Sequence, residues 1–382
     1  MKGPGRKARR VVLACALGTS IAFTSAGHPG EATHAAAAPR VVSPMPLLAY
    51  YYLWYNYDSW YRAKIDYPLI GKYSSDDPSV MRHQIQEAKA AGIDGFIVSW
   101  KDTATNDQRL RLLMSVASQQ HFKLAMIFQG LNFYRQPLPV AEVAAGFKTF
   151  CDRYAGSPVF FRLGGKPLTI WSGTWAFSDA AVARVTSAVR DKLLVLSTEK
   201  SVAGFRRIAS VTDGDAYYWS SVDPTTDPGY LTKLRAMSEA IHRDGEYWVA
   251  PFAPGFDARL VGGSKIIYRD GGETMREEYA AAIQSSPDVL GLISWNEFSE
   301  NSYVEPSVRY RYQSLDVLRQ LRGTAVPASS GPGAPSDTGG APVGTAPVTS
   351  GWPSVLRASG FALALIGVVS GIGAARRRRG RG

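Results

Sequence analysis

The feature that most limits what this chain can fold into is an eightfold alternation of short β-rich apolar runs with amphipathic helical stretches between residues 47 and 321. The runs are 47–55, 95–100, 123–128, 167–171, 193–197, 216–219, 247–251 and 289–295. The helical stretches are 78–91, 107–120, 140–154, 179–192, 202–211, 229–243, 273–285 and 310–321. Such alternation is the mark of a parallel sheet with helices outside. Eight units suit a (β/α)8 TIM barrel of roughly 250 residues. An open doubly wound sheet can also be drawn from them. No glycine-rich nucleotide loop follows the first run, however, and polar and aromatic residues gather at the C-terminal ends of the runs, so the barrel is the expectation. Local signals agree: Val80, Ile85, Ala88 and Ala91 share a helix face, with Asp76 or Asp77 ahead of Pro78 as a start signal and Gly92 as a stop.

The regions outside the barrel read differently. Residues 1–38 combine a basic start with the apolar run Val11 to Phe23 and small residues after it, the pattern of a secretory signal peptide. Residues 45–323 form the expected catalytic domain. Residues 324–353 are a Pro/Gly/Ser/Thr-rich linker with too little apolar surface to fold, so disorder is expected there. A transmembrane helix is expected over 355–375, built on the uncharged stretch Ala358 to Ala375, and 376–382 is a basic cytoplasmic tail. The chain is therefore expected to be exported and anchored on the extracellular side of the cell membrane, as a monomer.

Charge and cysteine content narrow the function. The net charge of +11 comes from the two ends; residues 40–323 carry 32 basic and 30 acidic side chains, which gives no nucleic-acid-binding face. Beyond the signal only Cys151 remains, so no intrachain disulfide is expected. His83, His121 and His242 lie in or at the end of outer helices, too few and too scattered for a three-histidine metal site or a Ser-His-Asp triad. No GxSxG, P-loop or dinucleotide fingerprint occurs, and neither a metal nor a cofactor is called for.

Carboxylates or tyrosines are left to move protons. The ends of the runs supply Tyr51, Tyr52, Trp54, Trp100, Gln129, Trp171, Glu199, Tyr218 and Trp219, then Asp257, Asn296 and Glu305, around the pair Glu297 and Glu300. Aromatic faces stack on sugar C–H faces, and carboxylates and amides hold hydroxyls, so a polysaccharide or oligosaccharide is the expected substrate. Some of the aromatics could instead simply cap the barrel. Three residues apart after the last strand, Glu297 and Glu300 can face one cleft from a turn. There, mutual repulsion and burial would divide them into an acid and a base, the two states that glycoside cleavage needs.

The run from Ile293 to Pro306, with Asn296-Glu297-Phe298-Ser299-Glu300 at its centre, resembles the NEWHEGTQIEP signature of glycoside hydrolase family 99, the endo-α-mannosidase and endo-α-mannanase family. Tyr51-Tyr52-Leu53-Trp54-Tyr55 is similar to that family's opening YYPWY. Further likenesses are Gly92 to Phe96 with Ser99-Trp100, Gly165-Lys166-Pro167, Pro254 to Asp257, and Arg269 to Gly272. The resemblance covers most of residues 48–312 and implies a barrel that cleaves an internal α-glycosidic bond with retention. It implies Glu297 as the base on the sugar's own 2-hydroxyl, giving an anhydro-sugar, Glu300 as general acid/base, and Asn296 as a sugar contact. Phe298-Ser299 departs from the family's Trp-His, and Gln129 stands where that family usually has a glutamate. A catalytically inactive glycan-binding barrel and a same-fold glycosidase with another α-glycan substrate are the competing readings.

Overall fold

The computed structural model describes residues 45–62 and 64–324. The signal peptide, the transmembrane helix, the basic tail and all of the linker beyond Thr324 lie outside the described residues. Among the described residues no helix is long and apolar enough to cross a membrane.

Eleven strands occur among the described residues: β1 (Leu47–Tyr52), β2 (Gly95–Trp100), β3 (Lys123–Gln129), β4 (Arg162–Leu163), β5 (Lys166–Ser172), β6 (Leu194–Leu196), β7 (Gly214–Asp215), β8 (Tyr247–Phe252), β9 (Phe256–Asp257), β10 (Ile266–Ile267) and β11 (Val289–Leu292). Eight of them form the barrel. Parallel pairing runs β5-β3-β2-β1-β11-β8-β7, with β6 on the other side of β5. The parallel bridge Ser197–Asp215 joins β6 to β7 and closes the ring. Antiparallel β4 lies beside β5, and β9 and β10 form a small hairpin in the loop after β8.

The helices are α1 (Pro78–Ala90), α2 (Ala104–Gln119), α3 (Val140–Arg153), α4 (Asp179–Thr186), α5 (Val202–Ile208), α6 (Tyr230–Arg243), α7 (Glu273–Gln284) and α8 (Gln313–Arg322). Four start on side-chain caps: Asp77, Thr103, Ser178 and Ser201 each accept a hydrogen bond from a first-turn amide. Gly323, at φ 65, closes α8 in the left-handed conformation.

Successive strand residues divide between two cores. Leu48, Tyr50, Tyr52, Ile97, Ala125, Ile127, Leu168, Ile170, Leu194, Leu196 and Val249 fill the barrel. Leu47, Ala49, Tyr51, Phe96, Val98, Trp100, Met126, Phe128, Trp171 and Trp248 pack outward against the helices. This alternation decides which strand-end residues reach the mouth.

Two elements differ most from the sequence reading. The sixth barrel strand, β7, is Gly214–Asp215 and not 216–219. Its ladder is carried by backbone groups, such as Ala216 N–H on the Ser197 carbonyl (2.8 Å), and the aromatic run lies beyond it toward the mouth. Helix α4 stops at Thr186, short of the expected Lys192. The Thr186 hydroxyl donates to the Val182 carbonyl (3.1 Å) and the Ser187 hydroxyl to that of Arg184 (3.4 Å), a local competition that disfavours helix continuation.

Candidate active site

After β11 the chain makes a closed loop pinned at its base. Trp295 N–H donates to the Tyr50 carbonyl (2.7 Å), Ser294 N–H to Ser302 (2.6 Å), Val304 N–H to Ser294 (2.9 Å) and Glu305 N–H to Trp295 (2.8 Å). Residues 298–301 turn within it, and Asn301 takes φ 52. The turn holds Glu297 and Glu300 on one side of the barrel: both act electrostatically on the hydroxyls of Tyr52 and Tyr218, which face inward at the mouth and lie 2.7 Å apart.

The two acids have different surroundings. Glu297, 2 % exposed, accepts from Ser299 N–H (3.0 Å), and its own N–H donates to the Ser294 hydroxyl (2.8 Å). Burial pushes its carboxyl up to about 7, while the Lys64 ammonium and the Ser299 and Glu300 amides pull the other way. Glu300 is 0 % exposed and neither carboxyl oxygen has a protein hydrogen-bond partner. Burial first, and then the Glu297 charge, hold it well above the usual carboxylate range; Arg135 opposes this weakly. Environment therefore makes Glu297 the easier of the two to ionise and favours the protonated form of Glu300. Glu300 is closed off from water in this conformation, so a ligand reaching it must displace the side chains over it.

Of the other expected site residues, the structure brings Tyr52, Tyr218, Trp54 and Gln129 to the mouth. Trp54 is half-buried and stacks on Tyr52, with ring centroids 4.2 Å apart. Gln129, at the end of β3, donates to the Ser99 hydroxyl (3.1 Å).

The rest are packed outward or held by other protein partners. Tyr51, Trp100 and Trp219 occupy outward positions: Tyr51 donates to Gln84 (2.6 Å), Trp100 packs among Phe128, Phe150 and Tyr154, and Trp219 lies against Tyr217 and Tyr230. Asn296 is tied into a buried network by its side chain. Its carbonyl accepts Tyr52 N–H (2.9 Å), and its amide donates to the Tyr52 carbonyl (3.1 Å) and the Tyr73 hydroxyl (3.2 Å). Glu305 accepts from Gln84 (2.7 Å) and Tyr73 (2.9 Å), which ties both its oxygens into the same buried network. Asp257 is paired with Arg259 (2.7 Å), which holds its carboxyl below the usual range against the effect of burial.

Lys64 and Arg135 were not legible from the sequence. Lys64 comes from the long loop after β1 and donates to the Ser299 hydroxyl (2.8 Å), one bond from the Glu297 network. Arg135 stands at φ 61 in a tight turn ordered by Asn132, whose side-chain Oδ1 accepts the backbone amides of Tyr134 (2.9 Å) and Gln136 (3.0 Å). The Phe298-Ser299 departure has a local explanation as well: Phe298 stacks on Tyr303, with centroids 3.9 Å apart, and meets Trp60 edge-on at 5.4 Å.

Residues 67–317 match the family described as glycosyl hydrolase family 71. The chain belongs to glycosyl hydrolase family 71. Within it the chain is a divergent member, similar to family 99. The glycoprotein endo-alpha-1,2-mannosidase of Rattus norvegicus is 21% identical over 272 residues, which is 64% of this chain and 57% of that protein. The Mus musculus enzyme of the same name is 21% identical over 274 residues, with the same two shares. This chain thus spans a little over half the length of those relatives. Among solved structures, the GH99 endo-alpha-mannosidase of Bacteroides thetaiotaomicron, in complex with BIS-TRIS-propane, superposes with a TM-score of 0.65 at 22% identity, covering 73% of this chain and 96% of that one. A glycoside hydrolase-like protein superposes with a TM-score of 0.55 at 14% identity, covering 75% and 97%. For this family 71 member these likenesses establish the barrel.

Proposed function

We propose that the protein is a retaining, endo-acting α-glycosidase for a mannan-like polysaccharide or oligosaccharide, held outside the membrane by residues 355–375. The observation that carries the reading is the division of labour on one turn. Amides and a lysine favour the ionised form of Glu297, while Glu300 is buried, its carboxyl raised by burial and by the Glu297 charge, and without a partner for either oxygen. A buried carboxyl left unbonded is costly, and a glycosidic oxygen is a partner that accepts its proton.

In the proposed reaction the Glu297 carboxylate removes the proton of the sugar's 2-hydroxyl, and that oxygen attacks C1. Glu300 delivers its proton to the departing glycosidic oxygen, so the C1–O bond breaks and a 1,2-anhydro-sugar remains. Glu300, now ionised, takes a proton from water, the water oxygen adds at C1 as the C1–O2 bond of the anhydro-sugar breaks, and Glu297 returns its proton to O2. Two inversions at C1 give net retention. A base that ionises near pH 7 suits this work. Trp54, stacked on Tyr52, offers an aromatic face for a sugar ring.

The test is release of new reducing ends from α-mannans and α-glucans by the full-length protein, compared with Glu300→Ala and Glu297→Gln. The reading expects activity in the wild type and losses of several orders of magnitude in both variants. Equal activity in all three ends the catalytic assignment. Glycan binding with no hydrolysis by any form supports instead the glycan-binding barrel, for which the complete burial of Glu300 speaks.

A further inference from the structure

Beside Glu300 the mouth carries cations that the proposed chemistry does not use. Arg135, from the loop after β3, lies within charge–charge range of both Glu300 and Lys200. Lys200 follows β6, and its ammonium sits 3.7 Å from the centre of the Trp175 ring in the segment after β5. Lys233, in the first turn of α6, is within range of Lys200. Its ammonium donates to the Tyr217 hydroxyl (2.9 Å) and rests 4.4 Å from the Trp219 ring centre. Among the described residues none of the three closes an ion pair with a carboxylate. Glu199, the acid nearest Lys200 in sequence, is engaged by Arg207 (3.2 Å).

Three half-buried cations converging from separate barrel loops repel one another, and each loses part of its hydration. Burial lowers the affinity of all three for their protons, and the Arg135 and Lys233 charges lower that of Lys200 further. Of the acids in range, Asp227 acts on Lys233 and Glu199 on Lys200, but Glu199 is already engaged by Arg207; burial raises the Glu300 carboxyl, and position 129 presents an amide. Such an arrangement is costly for a neutral ligand and favourable for an anion. A ligand anion would supply counter-charge to the three cations. The rings of Trp175, Tyr217 and Trp219 hold the ammonium groups from behind, which limits their freedom to swing into solvent.

We propose that the mouth beside Glu300 is a subsite for an anionic substituent, a phosphate ester or a carboxylate, carried by a sugar next to the bond to be cleaved. The inference rests on the glycosidase reading for its location and names the substrate class of that site: acidic α-glycans in preference to neutral ones.

Three probes test it: a neutral α-manno-oligosaccharide, the same oligosaccharide bearing a 6-phosphate, and one bearing a uronic acid, each with full-length protein. Charge-assisted hydrogen bonds imply kcat/KM about tenfold higher for a charged probe than for the neutral one, a ratio that shrinks as salt is added. Lys200→Gln and Arg135→Gln are each expected to bring the ratio toward unity, and Lys200→Arg to restore it. The phosphate and uronate arms show which anion is preferred. A wild-type ratio near one, or a ratio that the two glutamine variants leave unchanged, overturns the inference while the hydrolase reading stands. If no probe is cleaved, calorimetric titration of Glu300→Gln with the same three ligands decides. Preferential binding of a charged ligand, lost on adding Lys200→Gln, keeps the subsite and defeats only the hydrolysis; equal binding, or none, defeats the subsite.

Discussion

Glu305 offers a test of the buried network that needs no substrate. Its carboxyl is pushed up to about 8 from an ordinary value of 4.5, chiefly by burial, with the hydrogen bonds from Gln84 and Tyr73 pulling down. In the unfolded chain the same group titrates near its ordinary value of about 4.3. Between these values the folded protein keeps a proton that the unfolded chain has released, so stability falls as pH rises through this window. The slope is about 1.4 kcal/mol per pH unit, and the whole effect reaches roughly 5 kcal/mol by pH 8. Glu305→Gln cannot ionise, yet it keeps a carbonyl for the Gln84 amide and places an NH2 group against the Tyr73 hydroxyl. The variant should match the wild type below pH 4 and exceed it progressively above pH 5, by roughly 3–5 kcal/mol at pH 8. Thermal unfolding of both proteins at pH 4, 6 and 8 reads this difference directly. A stability gap that stays constant across that range would refute the reasoning, because it would mean that Glu305 titrates alike in the folded and unfolded states.

Three further outcomes follow from the geometry. The kcat/KM profile should rise through about pH 7 as Glu297 ionises and fall at higher pH as Glu300 loses its proton; the acidic limb should vanish from the residual activity of Glu297→Gln, and an unchanged limb moves the base elsewhere. Phe298→Ala removes a ring that is 1 % exposed and stacked on Tyr303, and chemical denaturation should show a loss of about 3–5 kcal/mol; a loss below about 1 kcal/mol contradicts this packing. Trp54→Ala should raise KM about tenfold with a smaller effect on kcat, the expected cost of losing one aromatic platform, whereas a loss confined to kcat would place Trp54 in the chemistry.

The barrel was legible because its signals are local. Asp77-Pro78 starts a helix, and Gly95 to Trp100 forms a strand with the bounds read from the sequence. The facing of the strand ends was not legible. Parallel strands covered on both sides carry apolar residues at every position, so Tyr51 and Tyr52 look equivalent until ring closure sends one to the helices and the other to the mouth. Trp100 was misplaced for the same reason, and Trp219 because it lies beyond its strand on a segment whose path the pattern does not encode; the hydrogen-bond network of Asn296 and Glu305 leaves no periodic trace. The acids Glu297 and Glu300 could be found because one short turn holds both. Lys64 and Arg135 arrive from separate loops whose path the sequence pattern does not encode.

The account stands most directly on where a glycan lies relative to those two acids. A crystal structure of Glu297→Gln soaked with an α-manno-oligosaccharide measures it. The account predicts a glycosidic oxygen within hydrogen-bond distance of the Glu300 carboxyl, with the 2-hydroxyl of the sugar on the side of position 297. An oligosaccharide seated with its linkages away from Glu300, or a mouth that stays closed over that carboxyl with the sugar bound elsewhere, would contradict it.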